Sequence, residues 1–103
     1  MSTNKLTGKQ TRFLRARAHA LKPIVIIGAD RVTPGVTAHI DDALEQHELL
    51  KVRLTDAKKD ETIEAAAAIV AGTGAAIVQR VGHTLVLYRK RRQADPTIRL
   101  PKA

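Results

Sequence analysis

Residues 24–35 read IVIIGADRVTPG, and this stretch decides the fold. Its first four residues form a continuous β-branched run, which predicts a short strand that is buried on both faces. Gly28 permits a turn after the strand, while Thr33 and Pro34 are typical of the cap and the first position of a helix. A helix start of this kind leaves backbone N–H groups that suit a phosphate. A glycine that only permits a tight turn is an equally good interpretation.

A first helix is predicted before this stretch, over residues 8–21. Thr7 and Gln10 have the spacing of a capping box, and Pro23 ends the helix. At about 100° per residue, its basic side chains fall in one stripe. The stripe comprises Lys9, Arg12, Arg15, His19 and Lys22. Arg17 falls in the apolar sector instead, where it must extend to solvent or find a partner.

A second helix and a second strand are predicted after it. The helix that starts at Thr33 has an apolar inner face with a partly buried histidine at its end: Val36, Ile40, Ala43, Leu44 and His47. The following segment, LLKVRLT at residues 49–55, alternates between apolar and polar residues. This alternation predicts a strand whose outer face carries Lys51 and Arg53.

A third helix and a hairpin complete the predicted domain. Asp56 or Asp60 suits the N-terminal cap of the helix, and Gly72 or Gly74 suits its left-handed end. The predicted inner stripe of this helix is Ile63, Ala67, Val70 and Ala71. Two strands follow, joined by a tight turn at Gly82 and His83.

The element order α-β-α-β-α-β-β predicts a single-domain α/β sandwich with a mixed four-stranded sheet. The helical crossovers suit parallel neighbours, and the final hairpin must be antiparallel. We assign residues 6–90 to the folded domain. Residues 91–103 contain too few apolar side chains to fold alone and are predicted to form a basic tail that is flexible at least in part.

Composition argues against several classes of protein. The chain has no Cys, and its one serine is Ser2, so no nucleophile has an obvious activating partner and an enzyme is not predicted. The histidines are scattered, and Asp41 and Asp42 point about 100° apart on a helix, so neither a metal nor another cofactor is expected. No apolar run is long enough for a membrane span. We expect a cytoplasmic monomer without a small-molecule substrate.

The charge distribution points to a polyanion. Residues 1–29 contain six bases and no acid, and residues 73–103 contain seven bases and one acid. Phe13 and Tyr88 are the two aromatic residues of the chain, too few for a platform that stacks unpaired bases. Contacts to phosphate, sugar and duplex shape are therefore expected, which favours structured RNA. DNA stays possible, although no helix-turn-helix or zinc-finger pattern is present.

Several motifs resemble one known family: LRARAHALKPIVIIGADRVTPGV, HELLKVRL, TGAAIVQRVGHTLVLYR and IRLP, in this order over residues 6–101. They are similar to the CRM domain (chloroplast RNA splicing and ribosome maturation), in its bacterial single-domain YhbY-like form. The resemblance implies a fold similar to the C-terminal domain of translation initiation factor three. It also implies binding to RNA, with bacterial members associated with precursors of the large ribosomal subunit and thus with 23S-type rRNA.

The same family usually has a GxxG loop after the first strand, comparable to the backbone-clamping loop of KH domains. Gly28 matches the first glycine, and Arg31 replaces the second. Amides from Thr33 to Gly35 are expected to face a phosphate, to which Arg31 adds charge. Lys22, Lys51, Arg53 and Arg89 occupy matching family positions.

The predicted RNA-binding residues come from the first helix, the loop, the second strand and the basic cluster after the hairpin. They are Lys9, Arg12, Arg15, Lys22, Gly28, Arg31, Thr33, Gly35, Lys51, Arg53, Arg89, Lys90, Arg91 and Arg92. The leading hypothesis is an assembly factor for the large ribosomal subunit that contacts the rRNA backbone. The alternative is a general nucleic-acid-binding or translation-linked regulatory protein without a role in assembly.

Overall fold

Seven elements follow one another in the predicted order. The computed structural model describes residues 6–28 and 32–102. The elements are α1 (Gly8–Ala18), β1 (Pro23–Ile27), α2 (Pro34–His47), β2 (Leu49–Leu54), α3 (Lys59–Thr73), β3 (Ala76–Val81) and β4 (Thr84–Tyr88). The strands form one sheet in the order β1-β2-β4-β3. β1 and β2 are parallel, and β4 is antiparallel to both β2 and β3, so the mixed α/β fold is confirmed.

Local hydrogen bonds explain where the helices begin. At the start of α1, the N–H of Gln10 donates to the Thr7 hydroxyl at 3.1 Å, and the N–H of Thr7 donates to the Gln10 side chain at 3.1 Å. At the start of α2, the N–H of Val36 donates to the Thr33 hydroxyl at 3.2 Å. Both predicted caps are therefore confirmed.

The two faces of the sheet are covered unequally. α2 and α3 pack on one face, around a core of Val25, Ile27, Ile40, Leu44, Leu50, Val52, Leu54, Ala65, Ile69, Ala75, Leu85 and Leu87. α1 packs on the other face, in a smaller core of Leu14, Ala18, Leu49, Val78, Val86, Tyr88 and Ile98. One short helix thus shields a four-stranded surface that two longer helices shield on the opposite side.

β1 is buried on one face, which corrects the prediction of two buried faces. Val25 and Ile27 point into the core, whereas Ile24 is 49% exposed and Ile26 is 66% exposed. β1 is an edge strand, and α1 packs over β2, β3 and β4. The β-branched run is therefore typical of a strand, but it carries no information about what covers the second face.

The inner face of α3 also differs from the predicted stripe. Thr62, Ala65, Ile69 and Thr73 are buried, whereas Ile63 and Val70 are exposed. The hydroxyl groups of Thr62 and Thr73 donate to the carbonyl oxygens of Lys58 at 3.1 Å and Ile69 at 2.7 Å. These bonds satisfy the two polar groups and let threonine occupy the core-facing positions.

The ends of α3 confirm one prediction and correct another. Lys58 occupies the N-terminal cap position, not Asp56 or Asp60, and its N–H donates to a Glu61 carboxylate oxygen at 2.8 Å. Gly74 ends the helix with a left-handed φ of 74°, as expected for one of the two glycines. The hairpin turn has the same local origin, because Gly82 has a φ of 59°.

Two more side chains on helices lie outside the core. His47, predicted to be partly buried, is exposed at the last position of α2. Arg17 is exposed on α1, because Leu14 and Ala18 form the buried side of this short helix. None of the helices among the described residues is long and apolar enough to cross a membrane.

Residues 91–102 lie against the domain. Ile98 is 7% exposed and belongs to the α1 core, and Leu100 packs beside it. The Gln10 side-chain amide donates to the carbonyl oxygen of Pro101 at 3.0 Å, which joins the segment to the start of α1. The division of the chain at residue 90 and the flexibility of the segment after it stay predictions.

Candidate nucleic-acid interface

The basic stripe of α1 is presented to solvent. Its five cations or potential cations are all exposed, namely Lys9, Arg12, Arg15, His19 and Lys22. Leu14 and Ala18 point into the core on the opposite side of the helix, which turns the stripe outward. Residues 6–22 contain no acid, so nothing within this segment neutralises the stripe.

Two cations of β2 lie on the same side of the molecule as α1. Leu50, Val52 and Leu54 point toward α2 and α3, so Lys51 and Arg53 point to the opposite face of the sheet. The Lys51 ammonium donates to the carbonyl oxygen of Leu21 at 2.9 Å, which links β2 to the segment after α1. Arg53 is exposed. The α1 stripe and these two residues form one surface, which we call the α1-side basic surface.

The loop after β1 is described only in part, because Arg31 lies outside the described residues. Gly28, Thr33 and Gly35 are exposed. A Cβ atom at Gly28 would meet no other atom within 4 Å, and Gly28 is not among the glycines with positive φ. The described residues give no conformational or steric reason for glycine at position 28, and the tight-turn interpretation, which depends on residues 29–31, stays a prediction.

Acidic side chains of α3 lie near Val32, just before the start of α2. A groove next to the start of α2 is lined by Val32, Glu61, Glu64 and Ala65. Its two carboxylates repel phosphate, so an RNA backbone is disfavoured over this part of α3. The electrostatics favour an approach from the side of α1.

Arg89 is a structural residue, which corrects its place among the predicted RNA contacts. It is 2% exposed, at the end of β4. Its Nη1 group donates to an Asp41 carboxylate oxygen and, at 2.9 Å, to the carbonyl oxygen of Thr73. Its Nη2 atom lies 3.5 Å from a Glu45 carboxylate oxygen. These partners hold the guanidinium between α2 and the end of α3, where a ligand has no access.

Arg91 and Arg92 share their partners with Arg89. The Arg91 Nε group donates to the carbonyl oxygen of Glu45 at 2.8 Å. The Arg92 Nη2 group donates to the carbonyl oxygen of Thr73 at 2.9 Å, although 58% of this side chain is exposed. Lys90 is exposed. The cluster at residues 89–92 is thus partly engaged inside the protein, and Lys90 and Arg92 are its solvent-facing members.

Glu48 organises this region, and sequence reasoning did not find it. Its side chain is fully buried, and its backbone φ of 63° is one that residues other than glycine rarely adopt. Its carboxylate accepts bonds from the N–H of Arg91 at 3.1 Å, of Thr97 at 2.6 Å and of Ile98 at 3.0 Å, and from the Thr97 hydroxyl at 2.5 Å. A glutamate between a helix and a strand carries no sequence signal of this role.

These contacts keep two carboxylates ionised. Burial raises the pKa of Glu48, but the hydrogen bonds from Thr97, Arg91 and Ile98 outweigh it, and the pKa is lowered overall. Backbone hydrogen bonds from Arg92 and Gln93 lower the pKa of Glu45, helped by the nearby charge of Arg89. Glu45 forms an ion pair with the Arg89 guanidinium, which reduces the charge that the cluster can offer to RNA, whereas Glu48 meets Arg91 through its backbone N–H.

The predicted site residues therefore fall into two groups. The first is the α1-side basic surface. The second lies across the sheet, where Arg92 and Thr33 line one groove between α2 and α3 together with Asp41 and Gly72. The described residues contain no group of three or more His, Asp or Glu side chains that could hold a metal ion.

Comparison with known proteins agrees with this architecture. The model of the CRS1 / YhbY (CRM) domain matches residues 6–89. A Haemophilus influenzae protein named "RNA-binding protein" is 44% identical, over 94% of this chain and 96% of its own. "Probable RNA-binding protein YqeI" of Bacillus subtilis is 40% identical, over 93% and 99% of the two chains.

A solved structure supports the same assignment. The solution structure of the hypothetical protein SAV1595 from Staphylococcus aureus superposes with a TM-score of 0.79 at 37% identity. The match covers 94% of this chain and all of the other. The architecture and these matches define a single CRM domain. The chain belongs to the CRS1/YhbY (CRM) family, as its motifs indicated.

Proposed function

We propose that this protein binds structured RNA through the α1-side basic surface and acts as a non-catalytic assembly factor for the large ribosomal subunit. The observation that carries the proposal is that the exposed stripe of α1 and the cations of β2 lie on one side of the molecule. Residues 6–22, which contain α1, include no acid, so this side attracts a polyanion. The names of the similar proteins support RNA as that polyanion.

The positions of the two aromatic side chains support contacts to the RNA backbone. Tyr88 is 4% exposed in the α1 core, and Phe13 packs against the same core. Tyr88 therefore offers no open ring on which a base could stack, and the Phe13 ring is partly covered by the core. Affinity must then come mainly from phosphate, sugar and shape, which suits a folded RNA with paired regions.

The role in assembly rests on the family resemblance and on the preference for structured RNA. The protein binds 23S-type rRNA in precursors of the large subunit, in the cytoplasm and as a monomer, without a cofactor, a membrane or a small-molecule substrate. Its binding stabilises a folded state of the rRNA, and the protein performs no reaction.

Sucrose-gradient sedimentation of a lysate tests this role. The wild-type protein should migrate with particles lighter than the mature large subunit at low salt and leave them at moderate salt. Arg12→Gln together with Arg15→Gln should release it, and the control Lys59→Gln, on the opposite side of the sheet, should not. A wild-type protein that stays among free proteins at both salts contradicts the assembly role.

A binding assay separates assembly from the general alternative. At one salt concentration, the purified protein should bind structured rRNA more tightly than duplex DNA of the same length. Equal affinity for the two would favour a general nucleic-acid-binding protein.

A further inference from the structure

Part of the sheet face that carries α1 is not covered by the described residues. α1 and the segment at Ile98 cover Leu49, Tyr88, Val86 and Val78. Beyond them the face continues to the other end of the strands, where Ile26 is 66% exposed and Val81 is 58% exposed. Neither side chain is covered by the described residues, so this end of the face is accessible to a ligand.

The strand register joins these residues into one row. Ile26 of β1 is opposite Arg53 of β2, Arg53 is opposite Thr84 of β4, and Thr84 is opposite Val81 of β3. Cross-strand partners point to the same face, so the row crosses the whole sheet. Arg53 and the hydroxyl group of Thr84 lie in the middle of the row, between Ile26 at one edge and Val81 at the other.

A groove runs between α1 and the end of this row formed by Thr84 and Val81, whereas Ile26 and Arg53 lie beyond its lining. Its volume is about 350 Å³, and its walls include Arg15, His19, Lys51, Gln79 and Thr84. The groove combines cations, an amide with both donor and acceptor, and an apolar border. None of its lining residues is acidic.

We propose that an unpaired nucleotide of the bound RNA lies in this groove. Arg15, Lys51 and Arg53 contact its phosphates, and the Gln79 amide faces the edge of the base. Val81, in the wall of the groove, contacts a face of this base, and Ile26, which lies beyond the groove on the other edge strand, contacts a neighbouring base. The two aliphatic side chains replace the aromatic side chains that are absent here. The inference deepens the proposed function and rests on it, because it assigns to the same surface an unpaired nucleotide beside a paired region.

Charge favours RNA over a second copy of the chain on this surface. A symmetric dimer places the same patch on both subunits, which would bring Arg53 and its neighbouring cations against their own copies. RNA instead supplies the anions that the cations lack and the flat apolar bases that suit the two exposed aliphatic side chains.

Two RNA probes and matched variants test the inference. The probes are an RNA duplex and the same duplex with a short uridine bulge. Ile26→Thr combined with Val81→Thr should weaken binding to the bulged RNA about fivefold and leave duplex binding unchanged. The control Ile63→Thr changes another exposed isoleucine, on α3, and should leave both affinities unchanged. Thermal melting of each variant verifies that it is folded.

Cross-linking locates the nucleotide directly. With 4-thiouridine in the bulge, the cross-linked peptides should contain residues of the groove, and the yield should fall in Gln79→Ala. Cross-links elsewhere, or equal loss of both probes in the double variant, would overturn the inference while RNA binding stands. Absence of any RNA binding by the wild type would overturn the proposed function as well. Self-association that the double variant abolishes would assign the patch to a second copy instead.

Discussion

Replacement of Glu48 by glutamine should destabilise the protein, because this buried carboxylate joins the segment after β4 to the end of α2. One carboxylate oxygen accepts the bonds from Thr97 and Ile98, and the other accepts the bond from Arg91. In Glu48→Gln the amide oxygen can keep the bonds on one side, but they are no longer charge-assisted. The amide NH₂ group then faces the N–H of Arg91, where no bond can form.

The magnitude follows from these four bonds. Hydrogen bonds to a charged group contribute about 1.5–3 kcal/mol each, against about 1 kcal/mol for neutral ones. Three weakened bonds and one lost bond give a cost of several kcal/mol, from which the easier burial of a neutral amide subtracts. We expect a net loss of about 2 kcal/mol, or a melting temperature lower by about 8 to 16 °C for a domain near this size.

Urea and thermal unfolding, followed by circular dichroism, measure this loss. Glu64→Gln is the matched control, because Glu64 is exposed on α3, and it should change the free energy of unfolding by less than about 0.5 kcal/mol. If Glu48→Gln melts within a degree or so of the wild type, the carboxylate does not hold the C-terminal segment, and the reasoning fails.

The pH dependence of stability, the buried Arg89 and the salt dependence of RNA binding provide further tests. The lowered pKa values of Glu48 and Glu45 stabilise the folded state above their ordinary value near 4.5, so stability should fall as pH drops below it. This loss of stability at low pH should be smaller in Glu48→Gln than in the wild type. An acid transition identical to that of the wild type would contradict the prediction. Arg89→Met should cost about 2–3 kcal/mol in urea unfolding, because it removes the buried guanidinium that pairs with Asp41 and donates to the Thr73 carbonyl oxygen, whereas a loss of RNA affinity without destabilisation would contradict its structural role. Arg15→Gln should lower the magnitude of the salt slope of RNA binding by about 0.7–0.9, as should Arg31→Ala, and an unchanged slope in either would remove that residue from the interface.

Local chemistry determined the elements of this protein. Thr7 and Thr33 begin helices because each hydroxyl accepts a bond from the free N–H three residues later. Gly74 and Gly82 end a helix and turn a hairpin because their positive φ values cost glycine little. Such interactions act between near neighbours in the chain, so the sequence contains them in full. The family could be recognised for the same reason, from motifs that span these elements.

The sequence was less informative about which side of each helix or strand faces the core. In α3 the run of alanines leaves no clear apolar period, and the larger Ile63 and Val70 point outward while Thr62 and Thr73 point inward. β1 reads as a strand buried on both faces, but its place at the edge of the sheet exposes Ile26. In both cases the decisive neighbour is distant in the chain.

The arginines of the candidate site also show that residues distant in the chain decide what the sequence alone could not predict. Arg53 and Arg89 both lie at the ends of strands, and composition and family position gave them one predicted role. In the structure Arg53 is exposed, whereas Arg89 meets Asp41 and Glu45, more than forty residues earlier in the chain. The sequence by itself determined the elements, the family and the excess of positive charge. Tertiary structure decided which cations face solvent, because only folding brings the carboxylates that neutralise the others within bonding distance.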